Sequence, residues 1–309
     1  MNKGSSDDRL PIETILDEYT RKGAKSYALL DSGEGRKLEE VGGHLIERQC
    51  AVAFWKKRNP KSWKHVAATH QRTEQGGGFW ESHSAIEPYW FTKLGRIVLK
   101  TKLTSFGHLG FFVEQVSQWA WLSEKINEKV KNLSPDQEFK VLNLFAYTGG
   151  SSIACALAGA QVTHVDAARG VVDWAKQNAA INRVPEGSIR FAVEDCKLFL
   201  EREAKRGNKY DAVIMDPPSF GRGPNKEVFK IEDDITTLLQ CVKNVMKSNV
   251  TLFHFSSHSQ GFSPEVLKNL TGDILELGQF SCEGGEMLMP TEKTDRLVPS
   301  GQFFRILRK

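Results

Sequence analysis

Several things are scarce in this chain of 309 residues, and each absence excludes something. There are only five cysteines: Cys50, Cys155, Cys196, Cys241 and Cys282. They are far apart, odd in number and never in a CxxC pair. That excludes a disulfide framework and a thiolate metal site, and it fits a reduced cytoplasmic protein with mostly buried thiols. No uncharged apolar run approaches the ~20 residues of a membrane span. The opening MNKGSSDDRL has no apolar core, so it does not read as a signal peptide. Acidic residues are missing from one long stretch: none lies between Glu47 and Glu74.

What is present is ordinary globular chemistry. Apolar residues make up 40% and charged residues 26%, which excludes a disordered or fibrous chain. At about 150 residues per domain, the length predicts two domains. Lys+Arg minus Asp+Glu is 42 − 38 = +4. Residues 1–110 hold 18 basic against 13 acidic (+5), and residues 111–309 hold 24 against 25 (−1). The positive excess thus belongs to the N-terminal third. The acid-free stretch there carries Arg48, Lys56, Lys57, Arg58, Lys61, Lys64 and Arg72, interleaved with Trp55 and Trp63. Such a segment suits an anionic polymer.

Patterning divides the chain into three. Residues 1–25 are polar. Residues 26–110 show short apolar stretches (27–30, 43–46, 51–55, 97–100) between turn signals at Asp31-Ser32-Gly33 and Gly76-Gly77-Gly78, which predicts a small β-rich domain. Residues 111–309 begin with a helical period over Val113, Val116, Ala120, Ile126 and Val130, ended near Pro135. From Phe139 strands and helices alternate. Strands are expected at 141–145, 162–166, 189–193, 211–216 and 250–255, with helices between them and two further strands near 279–282 and 303–307. This predicts an α/β domain with a parallel sheet covered on both faces.

In such a sheet, ligands bind beyond the carboxyl ends of the strands, where the strand order reverses. The first strand ends in Asn143-Leu144-Phe145-Ala146-Tyr147-Thr148-Gly149-Gly150, whose glycines permit a tight turn and close backbone approach. The second ends in Asp166, placed to take the two hydroxyls of a ribose. The third is followed by Glu194-Asp195-Cys196, where a carboxylate can accept from an adenine amino group. A capping acid explains any one of these positions equally well. The ordered set points to a nucleoside ligand. G-x-G-x-x-G is absent, so the turn is not built for a pyrophosphate and a nicotinamide oxidoreductase is disfavoured.

The fourth strand ends in Asp216-Pro217-Pro218-Ser219-Phe220-Gly221. Two prolines stop the strand and hold the backbone extended. That would set Asp216 at the mouth of the pocket to accept from a nucleobase N–H, and Phe220 to stack on a base.

At these residues the chain resembles a class I S-adenosylmethionine-dependent methyltransferase. More narrowly, it is similar to the bacterial 23S ribosomal RNA 5-methylcytosine/7-methylguanine methyltransferase family and its uncharacterised relatives. Residues 106–115, 143–150, 165–167, 174–178, 194–195 and 216–221 carry the likeness, which covers about residues 105–260. It implies a Rossmann-like seven-stranded domain and S-adenosylmethionine as cofactor. Asn143, Phe145, Tyr147, Thr148 and Gly149 would cradle the methionine side, Asp166 would hold the ribose and Ala167 would lie beside the adenine. Asp195 and Cys196 would flank the adenine edge, and Phe111 and Gln115 would close the pocket. Asp216 and Pro217 would contact the methionine amino group or the target base, and Phe220 the base.

The chain departs from the carbon-5 enzymes. Those need a cysteine thiolate to add to carbon 6 of cytosine. The expected positions read Ser219 and Ser256-Ser257-His258-Ser259. A base nitrogen needs only an aligned lone pair, so nitrogen methylation is favoured. RNA, ribosomal RNA above all, is the expected partner, docked by Lys56, Lys57, Arg58, Lys61, Lys64 and Arg222. DNA, protein or a small molecule as methyl acceptor, or a non-catalytic nucleic-acid-binding homologue, are the alternatives. No metal is expected. Sheet edges in the β-rich domain leave room for a homodimer.

Overall fold

The computed structural model describes residues 10–73, 77–223, 227–289 and 296–309. The chain forms two compact units. The first comprises Met1–Val116, Ala180–Asn182 and Leu288–Pro299, and the second Ser117–Ala179, Arg183–Met287 and Ser300–Lys309. The sequence reading ended the first region at residue 110. The structure extends it to Val116 and adds two short segments from far along the chain.

The first unit opens with helix α1 (Ile12–Lys22), which buries Ile15. Strands β1 (Lys25–Gly33), β2 (Arg36–Val41), β3 (His44–Gln49), β4 (Ala68–Arg72), β5 (Gly78–Ser82), β6 (Trp90–Leu94) and β7 (Ile97–Thr101) follow. They form one mixed sheet in the order β5-β4-β3-β2-β1-β6-β7. Two-residue hairpins set its register: Gly33 pairs with Arg36, and Val41 with His44. Their turn residues Glu34, Gly35, Gly42 and Gly43 all have positive φ, the mirror-image geometry that matches strand twist. Asp31-Ser32-Gly33, expected as a turn, therefore ends β1 instead. Residues 51–55, expected as a strand, lie in the loop between β3 and β4, and of these five only Ala53 is buried. Of the glycine triplet, Gly76 lies outside the described residues.

The second unit alternates as expected. Helix α2 (Val116–Val130) leads into β8 (Lys140–Leu144), α3 (Gly150–Leu157), β9 (Gln161–Asp166), α4 (Arg169–Ile181), β10 (Ile189–Val193), α5 (Cys196–Lys205) and β11 (Ala212–Met215). A small hairpin follows, β12 (Phe220–Arg222) with β13 (Val228–Lys230), and the unit continues with α6 (Ile231–Val245), β14 (Leu252–Ser257), α7 (Pro264–Gly272), β15 (Phe280–Leu288) and β16 (Pro299–Arg308). The seven-stranded sheet has the order β10-β9-β8-β11-β14-β16-β15. β16 runs antiparallel to β14, whereas β8 to β11 and β14 are parallel.

Alternation along each strand feeds two cores. Leu142, Val213 and Phe253 pack with Phe199 of α5 and Leu238 and Val242 of α6. Their neighbours Val141, Ile214 and Leu252 pack with Leu122 and Ile126 of α2 and Ala156 of α3. Each fully buried side chain of this kind is worth about 1.5–3 kcal/mol. Strand order reverses between β8 and β11, so the loops after these two strands flank the switch point. No helix among the described residues is long and apolar enough to cross a membrane.

Candidate active site

The loop after β8 is bent by unusual backbone geometry. Phe145 and Tyr147 both have positive φ, at 54° and 50°. Non-glycine residues adopt this only at a cost of about 1–3 kcal/mol each. Gly149 (φ 93°) precedes α3, and a Cβ there would sit 3.2 Å from the Cβ of Ala175. Gly150 has no room at all: a Cβ would lie 2.2 Å from the Trp119 ring. The strained turn aims the Tyr147 amide at Asp166 across the sheet, at 3.0 Å.

Asp166 ends β9. Its Oδ2 accepts from Tyr147 N, and its Oδ1 accepts from Ala168 N at 2.9 Å. An ionised carboxylate has about four acceptor positions. Burial pushes its pKa up, and these two amides only partly oppose it. Asp166 thus has its orientation fixed and acceptor capacity left for two hydroxyls.

A cleft of about 610 Å³ opens beside it, lined by Ala167, Arg169, Val193, Glu194, Asp195, Leu198 and Arg202. Ala167 and Asp195 were expected at an adenine. Arg169, Leu198 and Arg202 were not singled out in the sequence. Leu198, the third residue of α5, is exposed although apolar, which only the structure shows. Arg202 pairs with Glu194 across the cleft wall. Asp195 does double duty: its Oδ1 caps α5 by accepting from Lys197 N at 2.9 Å and Leu198 N at 3.1 Å.

The other expected cofactor residues make contacts of their own. Asn143 donates through Nδ2 to Ser152 Oγ at 2.9 Å, and that hydroxyl bonds His164 Nδ1 at 3.0 Å. Its amide therefore braces the sheet under the loop, because an inward strand position must satisfy its polar atoms inside. Burial pushes the His164 pKa down to about 3, so the ring is neutral. The Cys196 side chain belongs to the core beneath α5, and burial drives its thiol pKa far up. The Phe145 ring packs 5.2 Å from that of Phe229. Thr148 is buried, and its carbonyl accepts from Asn178 Nδ2 at 2.9 Å. Phe111 and Gln115 belong to the first unit, where both are buried and Phe111 meets Tyr27 edge-on.

The loops after β11 and β14 are tied together. Asp216 Oδ1 stands 3.4 Å from His258 Nδ1, and Ser219 Oγ bonds Ser259 Oγ at 2.7 Å. Burial raises the Asp216 pKa, but His258 and Ser256 outweigh it and hold the carboxyl below its ordinary value. A Cβ at Gly301 (φ 108°) would lie 3.0 Å from His258 Cδ2, so β16 keeps space for this ring. Pro217 is buried beside Asp216. Phe220 is half exposed at the start of β12, with the Arg222 guanidinium 5.8 Å from its ring centre. No cysteine stands in either loop. Cys155 and Cys196 are buried, Cys241 lies in α6 and Cys282 in β15.

The basic residues divide between the units. Lys56, Lys57, Arg58, Lys61 and Lys64 lie on the β3–β4 loop of the first, and Arg222 on the second.

The sheet order and a ribose-ready acid at the second strand end define a Rossmann-like domain for a nucleoside cofactor. The chain belongs to the S-adenosylmethionine-dependent methyltransferase family, whose model matches residues 49–272. A solved S-adenosylmethionine-dependent methyltransferase from Agrobacterium tumefaciens is 31% identical with a TM-score of 0.84, over 93% of this chain and 92% of that one. Ribosomal RNA large subunit methyltransferase K/L of Pseudoalteromonas translucida is 31% identical over 53% of this chain. The protein of that name from Alteromonas mediterranea is 33% identical over 52%. The chain matches only 22% and 21% of the length of these two relatives.

The cofactor of this family is S-adenosylmethionine. The site fits that group. The two unused acceptor positions of Asp166 suit ribose hydroxyls, and the neighbouring cleft has an apolar wall at Ala167 and Leu198 for a base.

Proposed function

We propose that the protein methylates a nitrogen of an RNA base, with ribosomal RNA as the substrate class. The pair of loops after β11 and β14 carries this reading. They present a carboxylate, Asp216, an imidazole, His258, and hydroxyls, but no thiol. Addition to carbon 6 of cytosine has no nucleophile there. Methylation at nitrogen needs a base held in line. The curated relatives named for ribosomal RNA and the acid-free basic loop support RNA as the acceptor.

Bound S-adenosylmethionine supplies an electrophilic methyl group on a sulfonium. Asp166 accepts from its ribose hydroxyls, Asp195 from the adenine amino group, and Ala167 and Leu198 cover the adenine ring. The backbone of Phe145, Tyr147 and Gly149 shapes the methionine side. Asp216, kept ionised by His258 and Ser256, accepts from an N–H of the target base. Pro217 fixes the carbonyl line beside it, and Phe220 stacks on the base. Work on ribosomal RNA implies a cytoplasmic location.

The test is incubation with tritiated S-adenosylmethionine and separated RNA, DNA and protein, followed by nucleoside mass analysis of the labelled fraction. Label in RNA on an N-methylated base is expected. Label confined to DNA or protein overturns the substrate class, and 5-methylcytosine overturns the choice of atom. Deleting the gene in its host and mapping ribosomal RNA by mass should then show one missing methyl group.

A further inference from the structure

Phe54 is 91% exposed. It sits in the β3–β4 loop, and that loop is anchored on both sides of it. The Ala53 carbonyl accepts from Gly35 N at 2.9 Å, and the Trp55 carbonyl accepts from Glu34 N at 2.7 Å. The Trp55 indole donates to Ser32 O at 2.9 Å. A Cβ on Gly33 would lie 2.5 Å from Lys57 N, so the end of β1 lies directly against the loop backbone. Asp31 closes the anchor by accepting from Arg58 N, Asn59 N and the Trp63 indole. With Ala53 buried and its carbonyl and that of Trp55 bonded to one turn, the Phe54 ring is held out in water.

A large apolar ring so displayed is not packing. A loose loop would fold it away, since burial of a phenyl group is favourable. Its surroundings say what it would meet. Lys56, Arg58, Lys61 and Lys64 are all exposed on the same loop. The acid beneath them, Asp31, has four internal donors. Among the described residues of this loop and the turn it bonds, exposed Glu34 sets one acid against those four cations.

We propose that Phe54 is a stacking platform for an unpaired base of single-stranded RNA, with Lys56, Arg58, Lys61 and Lys64 on the flanking phosphates. A bare aromatic face suits a base that has left its stack, and a duplex keeps its base faces covered. The cations alone would take any polyanion, and the ring alone any apolar partner. Their combination on one rigid loop selects an unstacked polynucleotide. This inference rests on the RNA reading above and adds to it where, and in what form, the RNA is gripped.

The test uses the full chain and fluorescence anisotropy with a ~12-nucleotide RNA, offered single-stranded and as a blunt duplex. F54A should weaken single-strand binding about 5- to 150-fold, the range for one lost stack, and leave duplex binding unchanged. F54W should restore it, and F54L should not. The K61A/K64A pair should lower the salt slope for the single strand by roughly 1.4, about 0.7 per phosphate contact. Unchanged melting temperature and S-adenosylmethionine affinity in each variant establish that the fold is intact. Equal single-strand affinity for F54A and wild type, or full rescue by F54L, overturns the stacking role while the RNA reading stands. Failure of the wild type to bind either RNA form overturns both.

Discussion

Asp31 and Asp166 do the same structural job at the ends of two strands, in two different units. Each fixes the loop beside it by accepting backbone N–H groups, yet their acidities move in opposite directions. Burial raises both. Asp31 has four donors, from Ser32 N, Arg58 N, Asn59 N and the Trp63 indole, which outweigh burial and lower its pKa. Asp166 has two, which do not, and its pKa is raised. Donors and burial set the sign together: Asp31 meets four donors, whereas Asp166 meets two and is the more deeply desolvated of the pair. A carboxylate whose acceptor positions are filled is structural. One half-filled at a strand end keeps acceptor positions for the ribose hydroxyls proposed above.

The largest effect should come from removing the half-filled acid. Asp166→Ala should weaken S-adenosylmethionine binding at least about 100-fold, because two hydrogen bonds to a charged group are worth roughly 3–5 kcal/mol together. Isothermal titration measures it, and an unchanged affinity would break the comparison. The wild-type affinity should also rise with pH until Asp166 is fully ionised, above the ordinary range of an aspartate, because donating hydroxyls favour the ionised form of an acid whose free-state pKa is raised.

Asp31→Ala should leave cofactor affinity alone and lower stability by about 2–3 kcal/mol, since it strands the buried Trp63 indole and three amides. Urea unfolding at neutral pH reads this. Because the folded pKa of Asp31 lies below its unfolded value near 4, its contribution is full above that value. It is lost as pH falls through the folded value, so Asp31→Asn should flatten the acid limb of stability.

The smallest effect belongs to Asp195, which stands between the two cases. It caps α5 and lines the cleft. Asp195→Ala should cost about 1 kcal/mol of stability for the lost cap and weaken cofactor binding up to roughly 10-fold. A loss of stability with no loss of affinity would move Asp195 to the structural side with Asp31.

Much of the second unit was legible because buried parallel strands are apolar throughout and end where the pattern stops. Ala212–Met215 is buried at every position, and Asp216-Pro217-Pro218 marks its end. The first unit was harder to read. β2 is Arg36-Lys37-Leu38-Glu39-Glu40-Val41, with four charges in six residues. It is a strand inside the sheet because wholly buried Glu39 accepts from Arg48 and Tyr27 across neighbouring strands. Conversely Ala51-Val52-Ala53-Phe54-Trp55 looks like a strand but is a loop, since its carbonyls bond the β1–β2 turn rather than a ladder. Asn143 lies at the expected strand end with its amide turned inward to Ser152.

The sequence by itself determined the order of strands and helices after residue 139 apart from the β12–β13 hairpin, the acids at their ends, and the lack of a thiol beside Asp216. Those follow from local period, from proline and from residue identity. Only the tertiary structure decided how many donors each acid meets, on which the proposed division between a binding and a bracing carboxylate rests. It also joined Asp216 to His258 and held Phe54 out in water. Hydrogen-bond partners come from residues far apart in the chain, and a linear pattern carries no record of which loops the fold brings together.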